Sequence, residues 1–205
     1  MIRELLEVSV FSMVLIALAI PLGMYLGMVF KGQRTFMDSV VGSLEKFLYK
    51  LFGVDPNEEM NWKTYTWNLV VFTIWGFIVL FLIQVFQNRL PFNPQHFPAL
   101  SWHLAINTAV SFATNTNWQA YGGETTMSYF TQMFGLTVQN FLSAAAGMAA
   151  CVALLRGFVR HSTEFIGNFW SDLSKSVLYV LLPLSIMVSL VLVSQGVVQT
   201  MRPYI

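Results

Sequence analysis

Long stretches without Asp, Glu, Lys or Arg divide this sequence and predict its architecture. A charged side chain at the centre of a bilayer costs about 2.5 to 3.5 kcal/mol, so such stretches are typical of membrane-spanning helices. Five charge-free windows stand out, at residues 8–30, 64–88, 90–123, 125–155 and 176–201. The first has 23 residues, and about 20 apolar residues are enough to cross a hydrocarbon core of about 30 Å.

Window 8–30 is predicted to be a spanning helix with a kink near Pro21. A cleavable signal peptide is the alternative. We favour the span because Glu4 and Glu7 lie beside Arg3 in the flank and no Ala-x-Ala cleavage pattern follows.

Windows 64–88, 125–155 and 176–201 are also predicted to span the membrane. Window 125–155 is the longest and the most polar, so we expect it to face protein or water, and to tilt, bend or project from the bilayer. Its small residues at 143–147 predict close packing against another helix. The last window contains Pro183. The polar residues of window 125–155 are Thr131, Gln132, Thr137, Gln139, Asn140 and Ser143.

Window 90–123 does not look like a span, because three prolines break its first part and Asn, Thr and Gln crowd its second. Between them, residues 102–113 predict one short helix with Ser101 as its N-cap. At about 1.5 Å per residue this helix is about 18 Å long, too short to cross. A short helix followed by a polar, charge-free stretch between two spans is typical of a re-entrant loop. A loop lying on the membrane surface remains the alternative.

Basic residues predict the orientation. Segments 31–63 and 156–175 hold eight of the eleven Lys and Arg residues. By the positive-inside rule these segments are cytoplasmic, so we expect the N-terminus and the re-entrant loop on the outer side.

Composition agrees with a largely lipid solvent, since 56% of the residues are hydrophobic and 10% are charged. The net charge of +1, without a basic stripe, gives no indication of nucleic-acid binding. The single cysteine, Cys151, excludes a disulfide within the chain and lies in an apolar run, where we expect a buried thiol. His96, His103 and His161 lack metal-ligand spacing with one another or with Cys151, so we expect structural roles and no metal site at these residues. The sequence has no nucleotide-binding P-loop, no H-E-x-x-H and no G-x-S-x-G, and thus no catalytic motif.

The segment that follows the short helix predicts a cation site. It reads Thr114, Asn115, Thr116, Asn117, Trp118, Gln119. A dehydrated cation needs oxygen dipoles in place of water, and backbone carbonyls that point one way supply them. That geometry usually requires positive φ at some residues, which glycine adopts most easily and asparagine tolerates best among the others. The preceding helix would add its negative C-terminal end. Asn and Thr also cluster in ordinary polar loops.

Glu124 is the only acid between Glu59 and Glu164. It fits an external vestibule that attracts cations, and it fits an ordinary interfacial carboxylate equally well.

Several blocks of residues give the chain a family resemblance. They are residues 59–63 (Glu-Met-Asn-Trp-Lys), 90–95 (Leu-Pro-Phe-Asn-Pro-Gln), 107–119, 123–126 and 135–144. With them, the chain resembles the N-terminal part of KdpA, the potassium-translocating subunit of the bacterial Kdp P-type ATPase complex. The likeness covers the whole chain and is strongest from Glu59 to Ala146.

The resemblance implies an all-α integral membrane protein of the inner membrane, with an extra first helix followed by four repeats of helix, pore loop and helix. It implies an extra helix and cytoplasmic loop over 1–62, a first pore repeat over 63–158 and the start of a second repeat over 159–205. It further implies that the carbonyls of Thr114, Asn115, Thr116 and Asn117 form one of four filter strands for potassium ions, and that Gln119 acts in potassium affinity. One strand cannot enclose an ion, so we expect the other repeats from a longer polypeptide or from other chains.

The implied partners are the ATP-hydrolysing subunit KdpB, the small subunits KdpC and KdpF, and membrane lipid, with no nucleic acid. The implied function is selective potassium uptake driven by ATP that a partner hydrolyses. Two other classes remain: a structural membrane component without a pore, and an intramembrane enzyme, which the missing motifs disfavour.

Overall fold

The computed structural model describes residues 2–203 and divides into two compact units, one ending at Phe52 and the other beginning at Gly53. Within the described residues, four helical segments are long and apolar enough to cross a bilayer. They are Arg3–Phe30, Trp62–Val85, Thr131–Val159 and Phe169–Ser194. Four of the five charge-free windows therefore correspond to a helix of spanning length.

The first unit contains two helices. Helix α1 (Ile2–Phe30) continues through Pro21, and it begins six residues before the predicted window, with Arg3 and Glu7 paired on its first turns at 2.9 Å between Nε and Oε1. The kink at Pro21 stays a prediction. Helix α2 (Asp38–Phe52) lies where the sequence analysis expected a loop. A short amphipathic helix does not produce a charge-free window of spanning length, so the pattern of charges did not predict it.

The second unit begins with helix α3 (Trp62–Val85), capped by Asn61, whose Oδ1 accepts a hydrogen bond from the N–H of Thr64 at 2.9 Å. A turn of 3₁₀-helix (Gln87–Arg89) follows. The short helix α4 (Trp102–Ala113) has the predicted bounds, and the predicted cap is confirmed because the Ser101 hydroxyl accepts from the N–H of Leu104.

The helix predicted to start at Thr125 begins later. Gly123–Thr126 form a separate short helix, α5, and Met127 is extended. The spanning helix starts with a π-helical segment (Thr131–Thr137) that continues into α6 (Val138–Val159). The reason is a cap that the sequence analysis missed: the hydroxyl of Ser128 accepts a hydrogen bond from the N–H of Thr131 at 3.2 Å.

The last spanning segment also differs from its window, because it runs from α7 (Phe169–Lys175) through a π-helical segment (Ser176–Leu181) into α8 (Leu182–Ser194). It begins seven residues earlier than predicted because Asn168 caps α7, accepting from the N–H groups of Trp170 and Ser171. Asp172 therefore lies inside the helix, although segment 156–175 was predicted to be a cytoplasmic loop.

Window 125–155 was predicted to face protein or water, and the packing of the second unit confirms this for three of its polar residues. Thr131, Gln139 and Ser143 are buried, and a Cβ at Gly76 would lie 2.7 Å from Oε1 of Gln139, so this glycine makes room for the amide. In the small-residue patch, Ala145 and Ala146 are buried against Tyr65 and Phe169, whereas Gly147 is exposed. A second apolar cluster packs α4 against α3 through Leu80, Leu100, Ala105, Ala109, Phe112, Met127 and Leu136.

The expectation of a buried thiol was wrong, because Cys151 is exposed. Ala149 and Ala153, two residues to either side, are buried. Residues two apart on a helix point about 200° away from each other, so the cysteine faces away from the packed side of α6.

Candidate functional site

The candidate cation loop, residues 114–117, is built on the C-terminal end of α4. That end is held firmly: Ala105, Ala109 and Phe112 are buried in the cluster between α3 and α4. A helix fixed in this way aims its negative C-terminal end at whatever follows.

The backbone N–H groups of the loop all turn back toward α4. Thr114 donates to the carbonyl of Val110 at 3.0 Å and Asn115 to that of Phe112 at 3.3 Å. The next two residues, Thr116 and Asn117, both donate to the carbonyl of Ser111, at 2.9 and 3.1 Å. The donors of four consecutive residues are therefore satisfied by one helix end.

The backbone of the loop takes the conformation predicted from its asparagines. Asn115 has φ of 57° and Asn117 has φ of 55°, whereas Thr114 has φ of −89° and Thr116 is not among the residues with positive φ. The prediction of positive φ at 115 and 117 is confirmed. The predicted extended strand is wrong for its first two residues, since Thr114 and Asn115 form a turn.

The carbonyl oxygens of Thr114, Asn115, Thr116 and Asn117 accept no hydrogen bond from any residue in the described range 2–203. The N–H groups of these four residues donate hydrogen bonds, whereas their carbonyl oxygens accept none from the described residues. Oxygens left in this state can coordinate a cation or bind water.

Side chains brace the loop from two helices. From α4, the Ser111 hydroxyl donates to the carbonyl of Trp118 at 2.8 Å. From α6, the Ser143 hydroxyl donates to Oδ1 of Asn115 at 3.3 Å. The hydroxyls of Thr114 and Thr116 are 3.0 Å apart. The roles of both serines were not predicted from the sequence, in which Ser143 belongs to a small-residue packing patch and Ser111 to one of the family blocks.

The loop is exposed on this chain. Residues 114–120 are all exposed, and beside them an open cleft of about 570 Å³ runs along α4, lined by Trp102, Ile106, Val110 and Trp118 among others. The described residues of this chain therefore leave the loop open to solvent.

The two vestibule candidates, Gln119 and Glu124, are exposed as well. Gln119 makes no side-chain hydrogen bond with the described residues, and Glu124 lies in the first turn of α5. Between them, Tyr121 turns inward, and burial raises the pKa of its phenol to about 12. Its hydroxyl is buried without a hydrogen-bond partner in the described part of the chain.

A buried glutamine fastens the segments around the loop. The amide nitrogen of Gln87 donates to the carbonyls of Pro98, at 2.6 Å, and Thr126, at 2.9 Å. Its oxygen accepts from the N–H of Ser128 and the hydroxyl of Thr131, at 3.1 and 3.0 Å. One side chain thus ties together the segments that precede α4 and follow α5. From residue types alone, Gln87 is only a polar residue at the end of an apolar span, which does not predict this role.

Where α6 ends and α7 begins, a buried ion pair joins the two helices. The Arg156 guanidinium contacts both carboxylate oxygens of Asp172, at 2.5 and 2.8 Å, and the two side chains are 17% and 2% exposed. The hydroxyl of Tyr65 on α3 lies 3.1 Å from Oδ2 of Asp172 and 2.8 Å from the carbonyl of Ala149. We call these three residues the Arg156 cluster. The cluster holds α3, α6 and α7 together near the start of α3 and the end of α6.

Comparison with known proteins identifies the family to which this chain is similar. The family model described as KdpA, potassium-transporting ATPase A subunit, matches residues 9–205. The chain is 51% identical over 204 residues to the potassium-transporting ATPase potassium-binding subunit of Clostridium botulinum strain Alaska E43, covering 100% of this chain and 35% of that protein. For the subunit of the same name from Pseudomonas aeruginosa, the identity is 53% over 203 residues, covering 99% and 36%.

A third relative, from Geobacter sulfurreducens, is 51% identical over 201 residues, covering 98% of this chain and 34% of the relative. The chain therefore spans about a third of the length of the curated relatives that it matches. With the family model matching almost the whole chain, and with four helices of spanning length, the chain belongs to the KdpA family of potassium-transporting ATPase A subunits.

Proposed function

We propose that the carbonyl oxygens of Thr114, Asn115, Thr116 and Asn117 coordinate a dehydrated potassium ion as one strand of a selectivity filter. The observation that carries the proposal is the state of those four oxygens, which accept no hydrogen bond within residues 2–203 while the matching N–H groups are all donated to α4. The family supports potassium as the ion, since the relatives are named as potassium-binding subunits.

The chemistry suits a large monovalent cation. Potassium is released from its hydration shell when several neutral oxygen dipoles replace water, and no fixed negative charge is needed. Left-handed φ at Asn115 and Asn117 alternates with φ that is not positive at Thr114 and Thr116, and such an alternation allows successive carbonyls to point toward a common side. The C-terminal end of α4 adds its partial negative charge on the axis of the loop.

A single strand surrounds an ion on one side only. The exposed loop and the open cleft along α4 favour contacts with further strands from outside this chain, as expected when it covers about a third of its relatives. In this proposal residues 1–62 are the extra helix and its loop, residues 63–158 are the first pore repeat and residues 159–205 begin the second.

The proposed activity of the whole protein is potassium uptake across the bacterial inner membrane, driven by ATP. Ions enter from the outer side, where the N-terminus and the loop lie, with Gln119 and Glu124 near the mouth. Hydrolysis of ATP belongs to a partner of the KdpB type, with small KdpC- and KdpF-type subunits completing the complex. Each relative is named as a subunit of a potassium-transporting ATPase, which supports an assembly of this kind.

The test is potassium-stimulated ATP hydrolysis by the assembled complex carrying Gln119→Arg. A guanidinium at the mouth repels the ion, so we expect the apparent KM for potassium to rise by about tenfold, which corresponds to about 1.4 kcal/mol. Gln33→Arg, the same exchange at an exposed site in the first unit, is the matched control and should leave KM unchanged. An unchanged KM for Gln119→Arg, with normal assembly, would instead favour a structural component without a pore.

A further inference from the structure

Helix α2 carries an exposed apolar stripe. It consists of Val40, Leu44, Phe47 and Leu51, which are 70%, 44%, 59% and 61% exposed. These positions follow one another at intervals of four, three and four residues, so they lie on one face of the helix. A contiguous exposed apolar face of this kind indicates a surface that is covered in the working protein.

The side of α2 next to the stripe, roughly a quarter turn round the helix, is polar. Ser39, Ser43, Lys46 and Lys50 are exposed there, and both acids of the helix are engaged locally. Glu45 accepts a hydrogen bond from the hydroxyl of Tyr49 at 2.7 Å. Asp38 accepts from the backbone N–H of Thr35 and, at 3.0 Å, from its hydroxyl. The two lysines, one turn apart, are therefore the ammonium groups available on the polar side.

The position of α2 along the chain places it at a membrane surface. Helix α1, of spanning length, ends at Phe30, and only residues 31–37 separate it from Asp38. The ring of Tyr25, on α1, lies 5.4 Å from the ring of Phe36, and Met37 and Val41 are buried. The first turn of α2 is thus held at the level where the span leaves the bilayer. At about 1.5 Å per residue, its 15 residues reach about 22 Å, too short to cross.

We propose that α2 is an interfacial helix, lying in the plane of the leaflet that the C-terminal end of α1 reaches, with its stripe inserted among the acyl chains. Lipid is the occupant that fits best because the stripe continues from a span, contains only aliphatic and phenyl groups, and is flanked by lysines that suit anionic headgroups. Phe36 and Phe52, exposed at the two ends of the helix, extend the apolar surface. The apolar face of such a helix lies about 5–10 Å into the boundary between headgroups and acyl chains. The proposal goes beyond ion binding and does not depend on it.

Site-directed spin labelling in the full chain tests the proposal. Cys151→Ala removes the native thiol, and single labels are attached after Leu44→Cys and Phe47→Cys on the stripe. Ser39→Cys and Lys46→Cys on the polar side are the controls, since all four positions are exposed and the labels need not disturb the core. The labelled proteins are reconstituted in vesicles of phosphatidylcholine and phosphatidylglycerol. Circular dichroism of each labelled protein checks that the helices have formed.

We expect oxygen, which concentrates in lipid, to relax the stripe labels several-fold more than a water-soluble nickel chelate does, and the control labels to show the reverse order. Stripe labels shielded from both reagents would mean that protein covers the stripe, and stripe labels reached by nickel would mean that it faces water. Either result would overturn the proposal. A result in which only one of the two stripe labels is relaxed more by oxygen than by nickel would also overturn the proposal, because an inserted face requires both positions to lie in lipid.

Discussion

The hydroxyl of Ser143 donates a hydrogen bond to Oδ1 of Asn115, with 3.3 Å between the two oxygens. The bond joins a spanning helix to an asparagine with left-handed φ, across 28 positions of sequence. Because Asn115 supplies one of the four unpaired carbonyls, α6 takes part in setting the direction of that carbonyl. The small-residue segment of α6 thus positions the candidate cation loop in addition to packing helices.

Removing that hydroxyl should weaken potassium binding more than folding. For Ser143→Ala we expect the apparent KM for potassium in the assembled complex to rise several-fold, whereas the free energy of unfolding falls by only about 0.5–1.5 kcal/mol. Ser143→Thr keeps a hydroxyl and should restore much of the affinity. Ser185→Ala is the control, because the Ser185 hydroxyl bonds only to the nearby carbonyl of Leu182. Equal KM values for Ser143→Ala and this control would contradict the positioning role.

The left-handed conformation of Asn117 makes a separate prediction. Its side chain makes no hydrogen bond within the described residues, so its backbone conformation is what a substitution tests. Asn117→Gly should keep the apparent KM for potassium near its original value. Asn117→Val should raise it by up to about tenfold, because a left-handed conformation costs an L-residue about 1–2 kcal/mol. Similar KM values for the two variants would show that φ at this position does not matter for binding.

Local signals account for what the sequence predicted well. Ser101 follows a proline-broken stretch and caps α4, so both ends of this helix could be placed from residue types alone. The positive φ of Asn115 and Asn117 followed from the tolerance of asparagine for that conformation. These features depend on neighbours in sequence.

Distant partners account for what the sequence did not predict. Asp172 fell in segment 156–175, which was predicted to lie outside the span, yet it is inside a helix of spanning length, where Arg156 neutralises it from 16 positions away. The bonds from Ser143 and Gln87 likewise reach side chains and carbonyls that only the fold brings near. Helix α2 was not predicted for a different reason. It has 15 residues, too few for the charge-free window of spanning length that predicted the other long helices.

Tyr121 predicts a loss of stability at alkaline pH. Its pKa is raised to about 12 in the folded state, against about 10 in an unfolded chain. Between these values the unfolded state releases a proton that the folded state keeps, so stability is constant below about pH 10 and falls as pH rises above it. Thermal unfolding in detergent from about pH 9 to about pH 11 should show this fall, and Tyr121→Phe should lessen it.

Tyr121→Phe should also not destabilise the protein at neutral pH, because the buried hydroxyl has no partner in the described residues. We expect a gain of about 1 kcal/mol. Tyr129→Phe is the control, since it removes a hydroxyl that donates to the carbonyl of Arg202 at 2.8 Å. If both variants had the same alkaline profile, the shifted phenol of Tyr121 would not be its cause.

Removing one charge of the Arg156–Asp172 ion pair should lower the free energy of unfolding more than removing both charges. Asp172→Asn leaves the guanidinium buried without its counter-charge, and we expect a loss of about 3–5 kcal/mol in the free energy of unfolding. The double variant Arg156→Met with Asp172→Leu leaves no buried charge and should recover most of that loss. Thermal unfolding in detergent gives both values. The single variants Arg156→Met and Asp172→Leu complete the cycle, and additive effects of these two substitutions would mean that the side chains are not coupled.

Gly167 tests the same cluster through the backbone. It has φ of +108°, and a Cβ placed there would collide with the guanidinium of Arg156. Gly167→Ala should therefore lower the free energy of unfolding by about 1–3 kcal/mol. Gly157→Ala is the matched control, because a Cβ at that helical position meets no atom within 4 Å, and it should raise stability by up to about 1 kcal/mol. Repeating Gly167→Ala with Arg156→Met separates the two causes, since strain in φ would persist while the collision would disappear. A penalty that is unchanged in this background would show that the guanidinium plays no part.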